Sequence, residues 1–294
     1  MTITCIDHEF LGTPQVIASY LVQAPEGYVL IETGPASTQA RLESELQARG
    51  IRLEEISHVL LTHIHLDHAG GAGTWAERGA KVYVHPKGAP HLIDPSKLLA
   101  SAARIYLDRM DFLWGQTRPV PAEQVVPLEE GVHRIAGLEV HAWETPGHAA
   151  HHFAFGIEGD LFTGDVAGVR LPGCDYVSVP APPPEFHLES WKNSLSKLIA
   201  LAPKRLHLTH FGGGFEGLAH LQQLEQRLEE CVEFVASQNK LSADELQAAY
   251  QQWDREQAQK YGVEEQTYQA YEKANPVFMS AQGIRRYLTK YRAN

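Results

Sequence analysis

The 294-residue sequence has few cysteines and no long apolar run. Its three cysteines, Cys5, Cys174 and Cys231, are widely spaced and form no CxxC motif, so we expect no disulfide framework and a reducing compartment. A run of about 18 apolar residues is absent, so we expect no membrane-spanning helix. The first residues show no basic segment followed by an apolar one, which predicts no signal peptide and a cytoplasmic location.

Positive charge is also scarce. Lys and Arg number 25 against 36 Asp and Glu, which gives a formal net charge of −11. A nucleic-acid surface requires clustered basic residues, so we expect a small-molecule substrate, with neither nucleic acid nor a membrane as a partner. The apolar fraction of 44% and the charged fraction of 21% are typical of a globular protein that buries a sizeable core.

Short apolar segments alternate with helical ones over the first two thirds of the chain. Periodicity and flanking Gly or Pro residues predict helices over 39–49 and 188–201, and strands over 16–22, 28–31, 59–62, 81–84, 138–143, 152–157, 161–163 and 206–209. Strands that alternate with helices and with hairpin-like pairs predict an α/β fold with mixed sheets.

Two segments depart from this pattern. In an insert over about 94–120, Asp94 as N-cap and Pro95 at the first helical position open a helix predicted over 94–116. This helix either packs on the core, encloses a site, or forms a homodimer contact. From residue 218 the strand signals stop, and amphipathic helices follow, one of them opened by a capping box at Ser242. We therefore predict a catalytic domain over 1–217 and a C-terminal helical extension over 218–294.

The sequence is rich in histidine, with 16 residues, and four of its motifs predict a metal centre. The run His63-Ile-His65-Leu-Asp67-His68 follows a predicted strand, and imidazole is the commonest metal ligand in proteins. Three further predicted strands end at Pro-Gly-His148, Gly-Asp165 and Thr-His210. The four motifs contain seven candidate ligands, enough for three on each of two ions and one that bridges them. We assign the bridge to Asp165, because a carboxylate has two oxygens.

The order of these motifs resembles that of the metallo-β-lactamase superfamily over residues 1 to about 217. The resemblance implies a four-layer αββα sandwich with a metal centre at the loop edge of its sheets. It implies that His63, His65 and His148 bind the first metal, that Asp67, His68 and His210 bind the second, and that Asp165 bridges them. The complete set is similar to the glyoxalase II and lactonase branch. One departure is Glu32, which stands where the family usually has Asp.

The resemblance implies a dinuclear hydrolase in which a metal-bound hydroxide attacks a thioester, a lactone or another carboxylic ester, with Asp67 relaying a proton. Zinc is the expected metal, and manganese or iron suits the same mixed ligands. Two alternatives stay open, a phosphodiesterase that uses the same centre and a mononuclear iron persulfide dioxygenase.

Five residues are candidate substrate contacts. Tyr106 and Trp114 lie in the insert, and His152, Arg170 and Tyr176 follow the predicted ligands along the chain. We expect an apolar part of the substrate to pack against the insert helix, because specificity must come from what surrounds the shared ligand loops.

Overall fold

The computed structural model describes residues 1–292, so the last two residues of the predicted helical extension lie outside the described residues. The chain forms two six-stranded sheets. The first sheet contains, in spatial order, β1 (Thr2–Asp7), β2 (Ala18–Ala24), β3 (Gly27–Ile31), β4 (Ile56–Leu60), β5 (Lys81–Val84) and β6 (Val125–Pro127). The second contains β7 (Gly131–Ile135), β8 (Leu138–Glu144), β9 (Phe153–Ile157), β10 (Asp160–Gly164), β11 (Arg205–Leu208) and β12 (Gly212–Phe215).

Both sheets are mixed, as the sequence predicts. In the first, β1 to β3 pair antiparallel and β3 to β6 pair parallel. In the second, β7 to β10 pair antiparallel, β11 runs parallel to β10, and β12 returns antiparallel. The sequence pattern does not predict β12, because three of its four residues are glycines, which are depleted in strands.

The structure also contains helices on the outer faces of the two sheets and around one end of them. They are α1 (Gln39–Ala48), α2 (Leu66–Ala69), α3 (Ala72–Ala76), α4 (Ala89–Ile93), α5 (Ser96–Tyr106), α6 (Met110–Trp114), α7 (Leu188–Ala200), α8 (Gly217–Ser237), α9 (Ala243–Lys260), α10 (Glu265–Ala274) and α11 (Val277–Tyr291). Within residues 1–292, no helix is both long and apolar enough to cross a membrane.

The four layers follow from the alternation of side chains along each strand. Val29 and Ile31 of β3 face the second sheet, whereas Leu30 faces α1 and α3 on the outside. Phe155 of β9 faces the first sheet, whereas Ala154 faces α7 and α8. All five side chains are buried, so each sheet has two apolar faces and the αββα arrangement predicted from the sequence is confirmed.

The insert differs from the single helix predicted over 94–116. The helix α5 begins at Ser96, whose backbone N–H donates to the Asp94 carboxylate, and it ends at Tyr106. Leu107 has a left-handed φ of 50°, and a short turn separates it from α6. Apolar spacing cannot reveal such a break, because the residues after it keep their helical periodicity.

Helices occupy the chain from Gly217 onward, as the sequence predicts from residue 218, and the capping box at Ser242 is present. Leu221 and Leu224 of α8 share an apolar cluster with Leu206 and Leu208 of β11. The helix α8 therefore packs against the second sheet, and the division into two domains at residue 217 stays a prediction.

Candidate metal centre

The seven predicted ligand residues lie in loops that follow four strands. His63 comes shortly after β4, and the single turn of α2 that follows carries Asp67 and His68. The other loops follow β8, β10 and β11 and carry His148, Asp165 and His210. The structure brings all seven together at one end of the two sheets.

Three imidazoles form the first group. His63 Nε2 and His148 Nε2 lie 3.0 Å and 2.9 Å from His65 Nδ1, so one nitrogen of each ring faces the same point. The second group contains Asp67, His68 and His210. Here Asp67 Oδ2 lies 3.4 Å from His210 Nε2 and 3.8 Å from His68 Nε2.

Asp165 lies between the two groups. Its Oδ1 is 3.1 Å from His68 Nε2 and 3.5 Å from His210 Nε2, whereas its Oδ2 is 3.3 Å from His148 Nε2. One carboxylate thus faces both groups with different oxygens, which is the arrangement expected of a bridging ligand.

Several atoms of the centre are buried without a hydrogen-bond partner among residues 1–292, namely His68 Nε2, His210 Nε2 and Asp165 Oδ1. A buried polar atom that lacks a partner costs free energy, so three of them facing one another need an explanation. Divalent cations provide one, because imidazole and carboxylate are ligands that zinc, manganese and iron accept. The residues present therefore fit a pair of divalent ions.

Two of the remaining ring nitrogens bond to backbone carbonyls around the centre. His148 Nδ1–H donates to the Pro180 carbonyl at 2.7 Å, and His210 Nδ1–H donates to the Val16 carbonyl at 2.8 Å. These bonds place the lone pair of each ring on Nε2, which faces the centre.

Glu32 lies behind His68. It is buried, and its Oε1 lies 3.4 Å from His68 Nδ1 and accepts the Thr62 backbone N–H at 3.3 Å. The longer side chain thus lies beside the imidazole, although His68 Nδ1 has no hydrogen-bond partner among residues 1–292.

Charges within the cluster shift the pKa values of its members. Burial alone would raise the pKa of Asp67, but His68 and His210 outweigh it and lower the pKa to about 2. Burial and the neighbouring His148 lower the pKa of His65 to about 3. Burial would also lower the pKa of His68, but Asp165 and Asp67 raise it well above its ordinary value. Ionised carboxylates and a neutral His65 are the protonation states that bind metals.

A cavity of about 710 Å³ opens beside the centre. Asp67, His148 and Asp165 line one end of it. The rest of its wall is largely apolar and includes Leu98, Ile105, Leu113, Pro276, Phe278 and Met279. The wall therefore comes from the insert on one side and from the C-terminal helices on the other.

Two of the five predicted substrate contacts line this cavity. Tyr106 lies at the end of α5 and donates its hydroxyl hydrogen to Met279 Sδ at 3.4 Å. Trp114 packs edge-on against Tyr106, with ring centroids 5.0 Å apart.

The other three, His152, Arg170 and Tyr176, do not line this cavity. His152 is buried behind the centre, where it bonds to Thr145 Oγ1 and accepts the Asp165 backbone N–H. The Arg170 guanidinium binds the Cys174 carbonyl and Asp175. Tyr176 is buried, and its hydroxyl donates to Asp254 of α9. The segment after Asp165 turns from the centre toward the C-terminal helices, which places Tyr176 against α9.

Two residues of the site were missed. His151 Nε2 lies 3.1 Å from Glu185 Oε2, and both residues line the cavity beside His65. His151 lies next to the selected His152, and strand alternation could have distinguished the two. No local sequence pattern marks Glu185 as a site residue. It follows a proline-rich segment, and only the folded chain brings it close to the centre.

The chain matches the family model of the metallo-beta-lactamase superfamily over residues 12–210. It is 27% identical over 204 residues to a metallo-beta-lactamase fold-containing protein of Sulfurisphaera tokodaii, a match that covers 68% of this chain and 74% of that protein. It is 30% identical over 194 residues to the atrochrysone carboxyl ACP thioesterase of Aspergillus fumigatus, a match that covers 64% of this chain and 36% of the thioesterase. The chain thus spans little more than a third of that fungal relative.

Comparison with solved structures also places the fold among metallo-beta-lactamase family proteins. A metallo-beta-lactamase family protein of Thermus thermophilus superposes with a TM-score of 0.71 at 21% identity, over 99% of this chain and 94% of that one. A second protein, solved in a di-iron-bound form, is 32% identical with a TM-score of 0.51, over 69% of this chain and 91% of that one.

Proposed function

This chain belongs to the metallo-beta-lactamase superfamily, and we propose that it hydrolyses a carboxylic thioester, or a related lactone or ester, that carries an apolar acyl group. One observation carries the proposal, namely that the ligand cluster forms one end of a cavity of about 710 Å³ whose remaining wall is largely apolar. Such a cavity suits a substrate with a polar reacting group and an apolar body. The likeness to a fungal thioesterase supports a thioester as the first choice.

We assign the first divalent ion to His63, His65 and His148 and the second to Asp67, His68 and His210, with Asp165 shared between them. When bound, such ions make a water molecule nucleophilic near neutral pH and polarise the carbonyl that it attacks. Zinc is the metal that we propose, with manganese or iron as alternatives.

Asp67 is the residue that we assign to proton transfer. Its carboxylate lines the cavity, and its side chain is 21% exposed, so it can reach the water that attacks the substrate. The low pKa, about 2, keeps it ionised and able to accept a hydrogen bond from that water. His210 Nε2 lies 3.4 Å from Oδ2, so both atoms would hold the same ion.

The apolar wall positions the substrate and excludes water. Leu98, Ile105 and Trp114 of the insert face Phe278 and Met279 of α11 across the cavity. An acyl chain bound between them would be desolvated at a gain of about 0.8 kcal/mol for each buried methylene group. The carbonyl at its end would then lie next to Asp67 and His148.

The test joins metal analysis of unsupplemented protein with a substrate panel. We expect two ions per chain, and turnover of acyl thioesters that rises with acyl length until the cavity is full. Lactones and phosphodiesters of matched size complete the panel. Turnover of phosphodiesters alone would overturn the proposal in favour of a phosphodiesterase. One iron per chain, with oxygen consumed on addition of a persulfide, would overturn it in favour of a dioxygenase.

A further inference from the structure

The loop over 178–183 connects the metal centre to the C-terminal helices. On one side the Pro180 carbonyl accepts the Nδ1–H of His148 at 2.7 Å. On the other side Ser280 of α11, which is fully buried, contacts the same loop through its hydroxyl. The loop thus lies between a predicted metal ligand and a helix almost 100 residues further along the chain.

The Ser280 hydroxyl uses both of its hydrogen-bonding roles on this loop. Its Oγ accepts the Ala181 backbone N–H at 3.1 Å, and its O–H donates to the Val179 carbonyl at 2.8 Å. The Ala181 N–H and the Pro180 C=O belong to one planar peptide group. A single peptide plane is therefore held by Ser280 at its N–H and by His148 at its C=O.

The contact between α11 and the loop is close enough to restrict movement. A Cβ atom on Gly283, one turn after Ser280, would lie 2.0 Å from the Ala181 carbonyl oxygen and 2.8 Å from the carbonyl carbon of Pro182. Only glycine permits this approach. Asn275 adds a further bond between the C-terminal helices and the loop, because its Nδ2 donates to Ser178 Oγ at 2.9 Å.

We propose that Ser280 is a positioning residue for His148, acting through the peptide group between Pro180 and Ala181. Rotation of that peptide would turn the Pro180 carbonyl away from Nδ1, and the imidazole would lose the bond that fixes its tautomer and direction. A peptide whose N–H is already bonded is also the stronger acceptor at its C=O. The inference rests on the proposed function insofar as His148 binds a metal.

The experiment measures metal binding directly. Metal-free protein is titrated with Co²⁺ against a chelating indicator, and the visible spectrum of the bound ion is recorded. We expect Ser280→Ala to bind the ion in the first group about tenfold more weakly, near the lower limit for the loss of a group that orients a ligand histidine. The bands of the bound Co²⁺ should shift. Ser280→Cys, which keeps the size and a weak donor, should recover part of the affinity.

Tyr268→Phe is the matched control, because it removes a buried hydroxyl that bonds to Gln251 and Asp254 in the same helical region but away from the loop. We expect it to lower stability toward urea while leaving Co²⁺ affinity and spectrum unchanged. If Ser280→Ala behaves like Tyr268→Phe, the inference is overturned and Ser280 is only structural. If Ser280→Ala does not fold, the same comparison is made with Ser280→Cys. Failure of the unaltered protein to bind Co²⁺ would instead overturn the proposed function.

Discussion

Asp165 Oδ1 lies 3.1 Å from His68 Nε2, while the second oxygen of the same carboxylate faces His148 at 3.3 Å. The distance between the two groups is thus spanned by one side chain. Because each oxygen of the carboxylate faces a different group, replacing either oxygen should disturb the centre. The first prediction tests this point.

Asp165→Asn should lower turnover by more than about 100-fold, beyond the usual loss for a group outside the ligands themselves. An amide has only one acceptor oxygen, so it cannot face two cations as a carboxylate does. Metal content should fall below that of the unaltered protein in elemental analysis. The control is Asp160→Asn, since Asp160 is a buried aspartate at the start of the same strand that binds Arg205 and His207. That variant should keep both ions and its turnover. Full metal content and normal turnover in Asp165→Asn would contradict a bridging role.

His210→Ala should reduce the metal content from about two ions per chain to about one. His210 belongs to the second group only, so the three imidazoles of the first group are left intact. His220→Gln is the control, because His220 is a buried histidine outside the cluster that donates to the Ala167 carbonyl at 2.7 Å. Loss of both ions in His210→Ala, or of one ion in His220→Gln, would contradict the assignment of His210 to the second group alone.

Truncation of the cavity wall should change which substrates are preferred. Trp114→Ala enlarges the cavity, so the ratio of kcat/KM between long and short acyl thioesters should change by about 10- to 200-fold, the range for one large apolar contact. Metal content should stay the same. Phe112→Ala is the control, since Phe112 is 65% exposed on the same short helix and does not line the cavity. Equal ratios in all three proteins, with a change of oligomer size in light scattering, would make the insert a dimer contact instead.

The buried His8 should make the metal-free protein less stable in acid. Its two ring nitrogens bond to Thr38 Oγ1 and Ser19 Oγ, and burial together with the charge of Arg41 lowers its pKa to about 3. The unfolded chain takes up this proton near pH 6.5 and the folded chain does not. Stability is therefore lost as the pH falls from about 6.5 toward about 3, at about 1.4 kcal/mol for each pH unit.

Urea unfolding at pH 6.5 and pH 5 tests this point. The unaltered protein should lose about 2 kcal/mol more between these pH values than His8→Gln, whose amide does not titrate. The same comparison between pH 8 and pH 7 is the control, because histidine is mostly neutral in both states there and the expected difference is only about 0.1 kcal/mol. An equal acid loss in the two proteins would show that His8 is not the group responsible.

Local signals predict an α/β fold with mixed sheets, and the family resemblance adds the four-layer order. Alternating apolar residues locate most strands, and short motifs at strand ends locate the seven predicted ligand residues. The features that the sequence does not predict have another origin. Tyr176 could not be placed, because its partner Asp254 lies 78 residues away in sequence. The same holds for Pro180, whose role depends on its backbone carbonyl rather than its side chain, and for Glu185, which reaches the centre only through the folded loop. Contacts of this kind belong to the tertiary structure and have no sequence pattern.

The contact between the Tyr106 hydroxyl and Met279 joins two segments separated by 173 residues. Neither the insert nor the C-terminal helices form a complete binding surface alone. A chimaera that takes the insert from a relative but keeps its own C-terminal helices would therefore have a cavity whose two walls fit different substrates. To transfer the substrate preference that we propose, the insert and the C-terminal helices have to be exchanged together, both in protein engineering and in evolution by recombination.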